Sequence, residues 1–449
     1  MTTKMPIFYV TTDPLRALGI EDYYDEFFVI CIDYTDVVDI LIKRGISIFC
    51  VEKELGKNVV VRNSRKLLLN DAVQEFILEH STNDVGVIFF KPLFSLATVI
   101  SSTKLGKNRT VVSLNASPSI SSLLENKLNF LEICTANKIA HPDSFVDHLN
   151  NLSYSLIQKR LGNDSVVQFE RGWFGNRTFF VSLPSDLEKL QKLYTNRKVK
   201  ISKYISGITL TVNAVVNDEN VYQTYPFVQL NDEPHSTQPL ARMQASTIGN
   251  SWTDLTVFFG KVTDVIVSDI YQMVKTVGSV IRELSYKGFF GVDVLVDAYG
   301  RVYMQEINPR FTASTQMISS LEDKSFGNSL LKEHYRTFGV QFKQGNALPE
   351  NYYTRQLLGS RVICRNVDRK GKLVVSAPKN GVYAYQGTEF EFQKGLLAIH
   401  SINPDEFILL SVGDNHRVSP DEQLFEIQSK GLSHEQLLSY ARKIKTNYF

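Results

Sequence analysis

The chain has 449 residues, 43% hydrophobic and 21% charged, a globular composition long enough for two or three domains with sizeable cores. Its 49 Lys and Arg nearly cancel its 47 Asp and Glu, leaving a net charge of +2. That balance excludes a general nucleic-acid coat and a polybasic membrane binder, but not a local basic site for a small anion. The four cysteines (Cys31, Cys50, Cys134, Cys364) form no C-x-x-C pair, and the histidines form no H-x-H or H-E-x-x-H pattern. Neither a disulfide scaffold nor a zinc site is expected, and a reducing, cytoplasmic setting is. The apolar runs are too short to span a bilayer, and the N-terminus reads as a short strand rather than a signal-peptide core.

In chain order, β-rich runs at 7–10, 27–33, 47–51, 85–90 and 110–114 alternate with helical patterns at 37–44, 64–80 and 94–105. This alternation predicts a small open parallel α/β sheet. No G-x-G-x-x-G turn follows the first strand, so nucleotide binding is not assigned there. Ser117-Pro118 opens a helix expected to run to about 137. Strands at 165–169 and 177–182 follow, joined by a glycine-containing loop, then strands at 200–216 and 221–228. A polar loop over 231–251 leads to a long helix over 262–286, closed by Gly288. A hairpin occupies 289–310. From about 350 the chain reads as short strands, ending in a helix whose Ser433 and Gln436 have capping-box spacing.

The hairpin GFFGVDVLVDAYGRVYMQEINPRF carries the most chemistry. With its turn centred on Ala298-Tyr299, Asp297 faces Gly300 and Asp293 faces Met304. Alternation then puts Met304, Glu306, Asn308 and Arg310 on one face with Asp293, diagonal to Glu306. Carboxylate and amide oxygens suit Mg²⁺, and an arginine beside them suits a developing phosphate or oxyanion charge. The alternative is a solvated hairpin ending at Asn-Pro. Lys127 falls on an apolar helical face with Ile120, Leu123, Leu124, Leu131 and Cys134, either as a phosphate ligand or as a snorkelling stem. The loop RGWFGNR, residues 171–177, offers glycine amides and flanking arginines to phosphates, or is a plain hairpin loop. The segment Lys203-Tyr204-Ile205-Ser206-Gly207 is an extended strand end that could present backbone groups to a purine edge.

Helix lysine, glycine loop, K-Y-I-x-G strand and acidic E-I-N-P-R hairpin occur in one order over roughly 118–345. That order resembles the ATP-grasp superfamily, most specifically at the hairpin. The 171–177 loop and the three-part layout look like peptide ligases of the pheganomycin type. The resemblance implies an α/β and α+β multidomain chain. An N-terminal pre-ATP-grasp, Rossmann-like α/β domain would cover 1–116. An ATP-grasp domain would cover 117–345, with a lid subdomain at about 160–228, and a small mixed, mostly β domain would cover 346–449.

It further implies that Lys127 holds ATP phosphates, that Gly172 to Gly175 form a lid over the triphosphate, and that Lys203, Tyr204 and Ile205 line the adenine. Asp293, Glu306 and Asn308 would bind Mg²⁺, with Mn²⁺ as an alternative, and Arg310 would stabilise the acyl-phosphate or tetrahedral species. Gln168 stands where many members carry a second phosphate lysine, with Arg171 or Arg177 as possible compensation. No acidic residue follows K-Y-I to hold the ribose, for which Thr209 and Thr211 are candidates. In the polar loop, Arg242 is a candidate for holding a substrate carboxylate and His235 for a base.

The expected activity is ATP-dependent ligation of a carboxylate to an amine through an acyl phosphate, with small-molecule or peptide substrates. No nucleic-acid or membrane partner is expected, and a homodimer is an open possibility. A biotin-carboxylase-like carboxylase and a nucleotide-binding module without turnover are the alternatives.

Overall fold

The computed structural model describes residues 4–59, 63–172, 175, 177–231, 247–343, 347–368 and 370–449. Strands β1 (Ile7–Val10), β2 (Phe27–Cys31), β3 (Ser47–Cys50), β4 (Val85–Phe89) and β5 (Val111–Ser113) form a parallel sheet in the order β3-β2-β1-β4-β5. Runs such as IFYV and FFVIC are apolar throughout because both faces are covered. Tyr9, Val29 and Ile88 pack toward the rest of the chain, while Phe8, Ile30 and Val87 pack under the sheet's own helices. The sheet changes its direction of growth between β1 and β4. Its C-terminal crevice therefore opens at Thr12-Asp13 and Phe90-Lys91, where a ligand site is expected in such sheets.

Three expected helices are each two. The 64–80 pattern is Ser64–Leu67 and Asp71–Glu79, with Asn70 capping the second by accepting from Ala72 N. The 94–105 pattern is Leu96–Ser101 and Lys104–Asn108, with Thr103 as the cap. The 117–137 pattern is Pro118–Glu125 and Lys127–Ala136, because the Asn126 side chain accepts from Leu128 N at 3.0 Å and starts a new helix.

A second, antiparallel sheet joins β6 (Ser144–His148), β7 (Ser165–Phe169), β8 (Thr178–Val181) and β9 (Lys198–Lys203) in the order β6-β9-β7-β8. Val167, Phe179, Val199 and Ile201 fill one face with Ile157 and Leu190. The other face meets the helix Lys127–Ala136. The expected strand at 200–216 is therefore two strands in two sheets. Gly207 begins the second, where a Cβ would lie 2.3 Å from the Val296 carbonyl oxygen.

The largest sheet takes up the remaining strands: β10 (Gly207–Val216), β11 (Val221–Gln223), β12 (Phe227–Asn231), β13 (Thr247–Trp252), β14 (Gly288–Asp297), β15 (Val302–Asn308) and β16 (Gly359–Arg365). After the small β17 (Lys372–Val374), which pairs with β21 (His416–Val418), come β18 (Gly381–Tyr385), β19 (Phe390–Lys394), β20 (Glu406–Ser411) and β22 (Gln423–Ser429). The order is β15-β14-β10-β12-β13-β16-β22-β20-β18-β19, with β11 beside β10. The expected polar loop at 231–251 thus ends in a strand, β13, that links the acidic hairpin to the C-terminal strands in one surface. The helix Thr263–Glu283 covers that surface with Ile266, Ile270, Val274 and Val277, spaced at helical period. The last helix, His434–Tyr448, opens on the expected Ser433–Gln436 capping box. All four cysteines are buried and none forms a disulfide. No helix among the described residues is long and apolar enough to cross a membrane.

Candidate active site

The acidic hairpin differs from its expected register in two places. Its loop is one residue longer, Ala298 to Gly300, with Gly300 at φ +78°, and Asp297 N donates to Arg301 O at 3.1 Å. Val294 then pairs with Met304, and a bulge follows, so that Asp293 lies directly opposite Glu306 rather than diagonal to it. The bulge also flips the face. Met304 points into the core with Val292 and Val294, while Glu306 and Asn308 emerge on the side of Asp293. The expected grouping of Met304 with Glu306, Asn308 and Arg310 is corrected accordingly. The acidic side chains share a face because the extra residue resets the alternation.

Hydrogen bonds fix this group. Thr211 Oγ1 on β10 donates to Asp293 Oδ1 at 2.6 Å. Asn308 Nδ2 donates to Asp293 Oδ2 at 3.4 Å. Arg310 Nη2 donates to Asn308 Oδ1 at 3.0 Å, and its Nε lies 3.6 Å from Glu125 Oε1. Glu125 in turn holds Lys91 at 2.6 Å. Burial raises the Asp293 pKa, opposed by the Thr211 hydrogen bond and by the charges of Lys127 and Arg310. Burial likewise lowers the Arg310 pKa, opposed by Glu125.

Lys127 does not sit mid-helix on an apolar face, because the chain breaks at Asn126; it is the first residue of its helix. Its amide donates to Glu170 O at 2.9 Å, which ties the helix start to the end of β7. Its ammonium is paired with Glu306. Burial pushes the Lys127 pKa down to about 8, with repulsion from Lys200 as the next cause. The pairing puts a cation on a candidate metal carboxylate. Two carboxylates, an amide oxygen and a lysine that can move from Glu306 to a phosphate form a donor set that fits Mg²⁺ and a nucleoside triphosphate. Among the described residues no cluster of three His, Cys, Asp or Glu side chains is present, so the set fits an ion that takes part of its shell from phosphates and water.

Thr211, Asp293, Glu306, Asn308 and Arg310 line a cavity of about 610 Å³. It reaches from Asp293 and Glu306 to Thr12 and Asp13 at the parallel-sheet crevice, and to Arg361 and Arg365 on β16. Gly172 and Gly175 border it. A Cβ on Gly172 would press on Arg177 Cβ at 2.8 Å, and Gly175 has φ +73°, so this approach of the loop needs glycine. Trp173, Phe174 and Asn176 of the same loop lie outside the described residues, as do Arg242 and His235. Arg171 donates to Ser122 O at 3.3 Å and to the Ser122 hydroxyl.

Lys203, Tyr204 and Ile205 form the end of β9 and the turn after it. The amides of Lys203 and Tyr204 donate to Asp143 O and Asp164 O at 2.8 and 3.0 Å, which holds the segment extended. Gln168, on β7, donates to Thr178 Oγ1 at 3.3 Å.

Three residues of the cluster carry roles that the sequence reading did not give them. Thr211, read there only as a ribose candidate, is hydrogen-bonded to Asp293. Glu125 ends its helix beside Arg310, and only the fold brings them together. Lys200 is buried beside Lys127, and its signal was a lysine alternating with Val199 and Ile201 in an otherwise apolar strand.

Residues 125–314 match the family described as ATP-grasp domain. A search of curated protein sequences gives no match. Among solved structures, biotin carboxylase from Campylobacter jejuni, as a β-γ-ATP complex, aligns at 14% identity and TM-score 0.61, covering 99% of this chain and 91% of that one. The L-amino acid ligase of Bacillus licheniformis aligns at 12% identity and TM-score 0.56, covering 99% and 98%. N5-carboxyaminoimidazole ribonucleotide synthetase of Thermotoga maritima aligns at 13% identity and TM-score 0.55, covering 99% and 98%. The chain therefore has the ATP-grasp fold over nearly its whole length, with the match to the ATP-grasp domain confined to residues 125–314.

Proposed function

We propose that the protein is an ATP-dependent carboxylate–amine ligase that forms an amide through an acyl phosphate, with an amino acid or peptide among its substrates. The observation that carries this reading is one polar row on the largest sheet. It runs from Glu306 and Asp293 through Thr211, Gln229 and Asn250 to Arg361. Asp293 pairs with Glu306 and Thr211 with Asp293; Thr211 Oγ1 lies 3.3 Å from Gln229 Oε1; Asn250 Oδ1 accepts from Arg361 Nη2 at 2.8 Å. Asp293 and Arg361 stand four strand spacings apart, about 19 Å at about 4.8 Å each. The row has a metal and phosphate end and a guanidinium end, with room between them for two small substrates.

The guanidinium end favours carboxylate-bearing substrates. Arg361 and Arg365 are both buried at the cavity. Burial, with repulsion from Arg16 and Arg361, pushes the Arg365 pKa down to about 9. Arg361 is paired with Glu426 at 3.5 Å, and a bound carboxylate would offset more of the combined guanidinium charge.

Asp293, Glu306 and Asn308 would hold Mg²⁺, which would supply charge neutralisation at the transferring phosphoryl group. Lys127 exchanges Glu306 for the triphosphate. A substrate carboxylate oxygen attacks the γ-phosphorus, releasing ADP and giving the acyl phosphate. The amine then attacks the acyl carbon, loses a proton, and expels inorganic phosphate. Arg310, fixed by Asn308 and Glu125, stabilises the oxyanion of that second step. Gly172 and Gly175, at the border of the cavity, limit the access of water to the acyl phosphate. The test is a panel of ATP, Mg²⁺ and pairs of amino acids or short peptides, read by phosphate release and product mass. Amide products support the reading. Turnover that requires bicarbonate and yields a carboxylated product replaces it with a carboxylase, and no phosphate release with any pair contradicts it.

A further inference from the structure

The phosphate side of the site has an amide at Gln168, where the ATP-grasp resemblance expects a lysine. Directly across the ladder from Gln168, on β9, stands Lys200. Val199 and Ile201 on either side of it are fully buried in the core of the second sheet, so Lys200 and Ser202 point to the opposite face. That is the face covered by the helix that begins at Lys127.

Lys200 is only 5% exposed. Among the described residues no hydrogen bond or ion pair holds its ammonium. The groups that act on it electrostatically are Lys127, a like charge, and Cys134. Burial pushes its pKa down to about 8. A lysine side chain this buried, beside a second lysine and with no carboxylate paired to it among the described residues, is a costly arrangement. The arrangement makes sense if an anion of high charge enters between them. Cβ atoms of directly opposed residues lie about 4.5–5.5 Å apart, less than the reach of a lysine side chain. A cation moved from position 168 to its cross-strand neighbour can therefore deliver its charge to the same place.

We propose that Lys200 is the second phosphate-binding cation of this site, holding the nucleotide's phosphates from β9 in place of a lysine at 168. This rests on the ATP reading above. The ligand class is a nucleoside di- or triphosphate, and Lys200 and Lys127 grip it from two different elements.

The test is calorimetric titration with Mg²⁺ and adenylyl imidodiphosphate, ADP or AMP, alongside thermal melting of the nucleotide-free protein. Lys200→Met should weaken the triphosphate analogue about ten- to hundred-fold. The loss should shrink from triphosphate to ADP to AMP, whereas a merely structural role would reduce all three alike. Nucleotide-free Lys200→Met should melt no lower than wild type, because it loses an uncompensated buried charge. Adding Gln168→Lys to Lys200→Met should restore most of the lost affinity. Should the methionine variant fail to fold, Lys200→Gln gives the same readout. Wild-type affinity in Lys200→Met or Lys200→Gln would overturn the assignment while leaving the ligase reading standing. No binding of any nucleotide by the wild-type protein would overturn both.

Discussion

Two of the clusters of buried charge among the described residues are built differently. One is sealed. Lys332 and Asp323, 1% and 3% exposed, form an ion pair at 2.6 Å. The Lys332 ammonium rests 3.2 Å from the centre of the Tyr23 ring, and Glu322 Oε2 accepts from Leu330 N at 3.1 Å. The other cluster gathers Lys127 and Lys200 behind Arg310, Asp293 and Glu306, which line a cavity; no carboxylate among the described residues is paired with Lys200, and Lys127 holds Glu306, a candidate metal carboxylate. Burial of charge is common to both. What separates them is the opening and the imbalance: a structural cluster closes its charges on each other, whereas a binding cluster leaves part of its charge for a ligand.

Breaking the sealed cluster should have the largest effect, and on stability alone. Lys332→Met leaves Asp323 buried without its partner and should cost about 3–5 kcal/mol of unfolding free energy. Urea denaturation measures it. Nucleotide affinity of the folded variant should match wild type, and a parallel loss of affinity would erase the distinction between the clusters.

Breaking the open cluster should do the reverse. Glu306→Gln keeps an oxygen but removes a charge from the candidate metal end, and turnover of the folded variant should fall by on the order of 100-fold or more. Steady-state kinetics at ordinary Mg²⁺ checks this, and near-wild-type turnover would remove Glu306 from the metal site. Asp293→Asn should be similar but milder. Lys127→Met should weaken the ATP analogue about ten- to hundred-fold. Because Glu306, freed of its partner, is one-third exposed, the variant should melt close to wild type.

A pH dependence sharpens the sealed side. Burial raises the Glu322 pKa to about 8, from an ordinary value of 4.5. Between these values the folded state holds a proton that the unfolded state has lost, so stability falls as pH rises from about 4.5 to about 8. Glu322→Gln should remove that decline. Its melting temperature should exceed wild type at pH 8 and converge with it near pH 4.5. A gap that stays constant across this range would mean that Glu322 titrates normally.

The N-terminal sheet was legible because its strands are continuously apolar and its helices lie between them in simple alternation. The hairpin chemistry was legible because Asp293, Glu306, Asn308 and Arg310 stand out among strong β-formers. What escaped depends on contacts outside the local pattern. The cap at Asn126 splits an apolar periodicity that reads through it, and so moves Lys127 from mid-helix to a helix start. The bulge between Met304 and Glu306 reverses a face, and alternation alone cannot show an inserted residue. Lys200 alternates with Val199 and Ile201 as a solvent-facing lysine would; only the helix laid over it makes it buried. Glu125 meets Arg310 across more than 180 residues of chain, and no spacing rule connects them.

The central claim is that the site activates a carboxylate by phosphorylating it. Amino acids and short peptides labelled with ¹⁸O in their carboxylates, incubated with the enzyme, ATP and Mg²⁺, test it directly through the mass of the phosphate released. The account predicts one labelled oxygen in each phosphate, matched by one amide formed, with ADP as the nucleotide product. Amide formation with unlabelled phosphate, or with AMP and pyrophosphate, would contradict it.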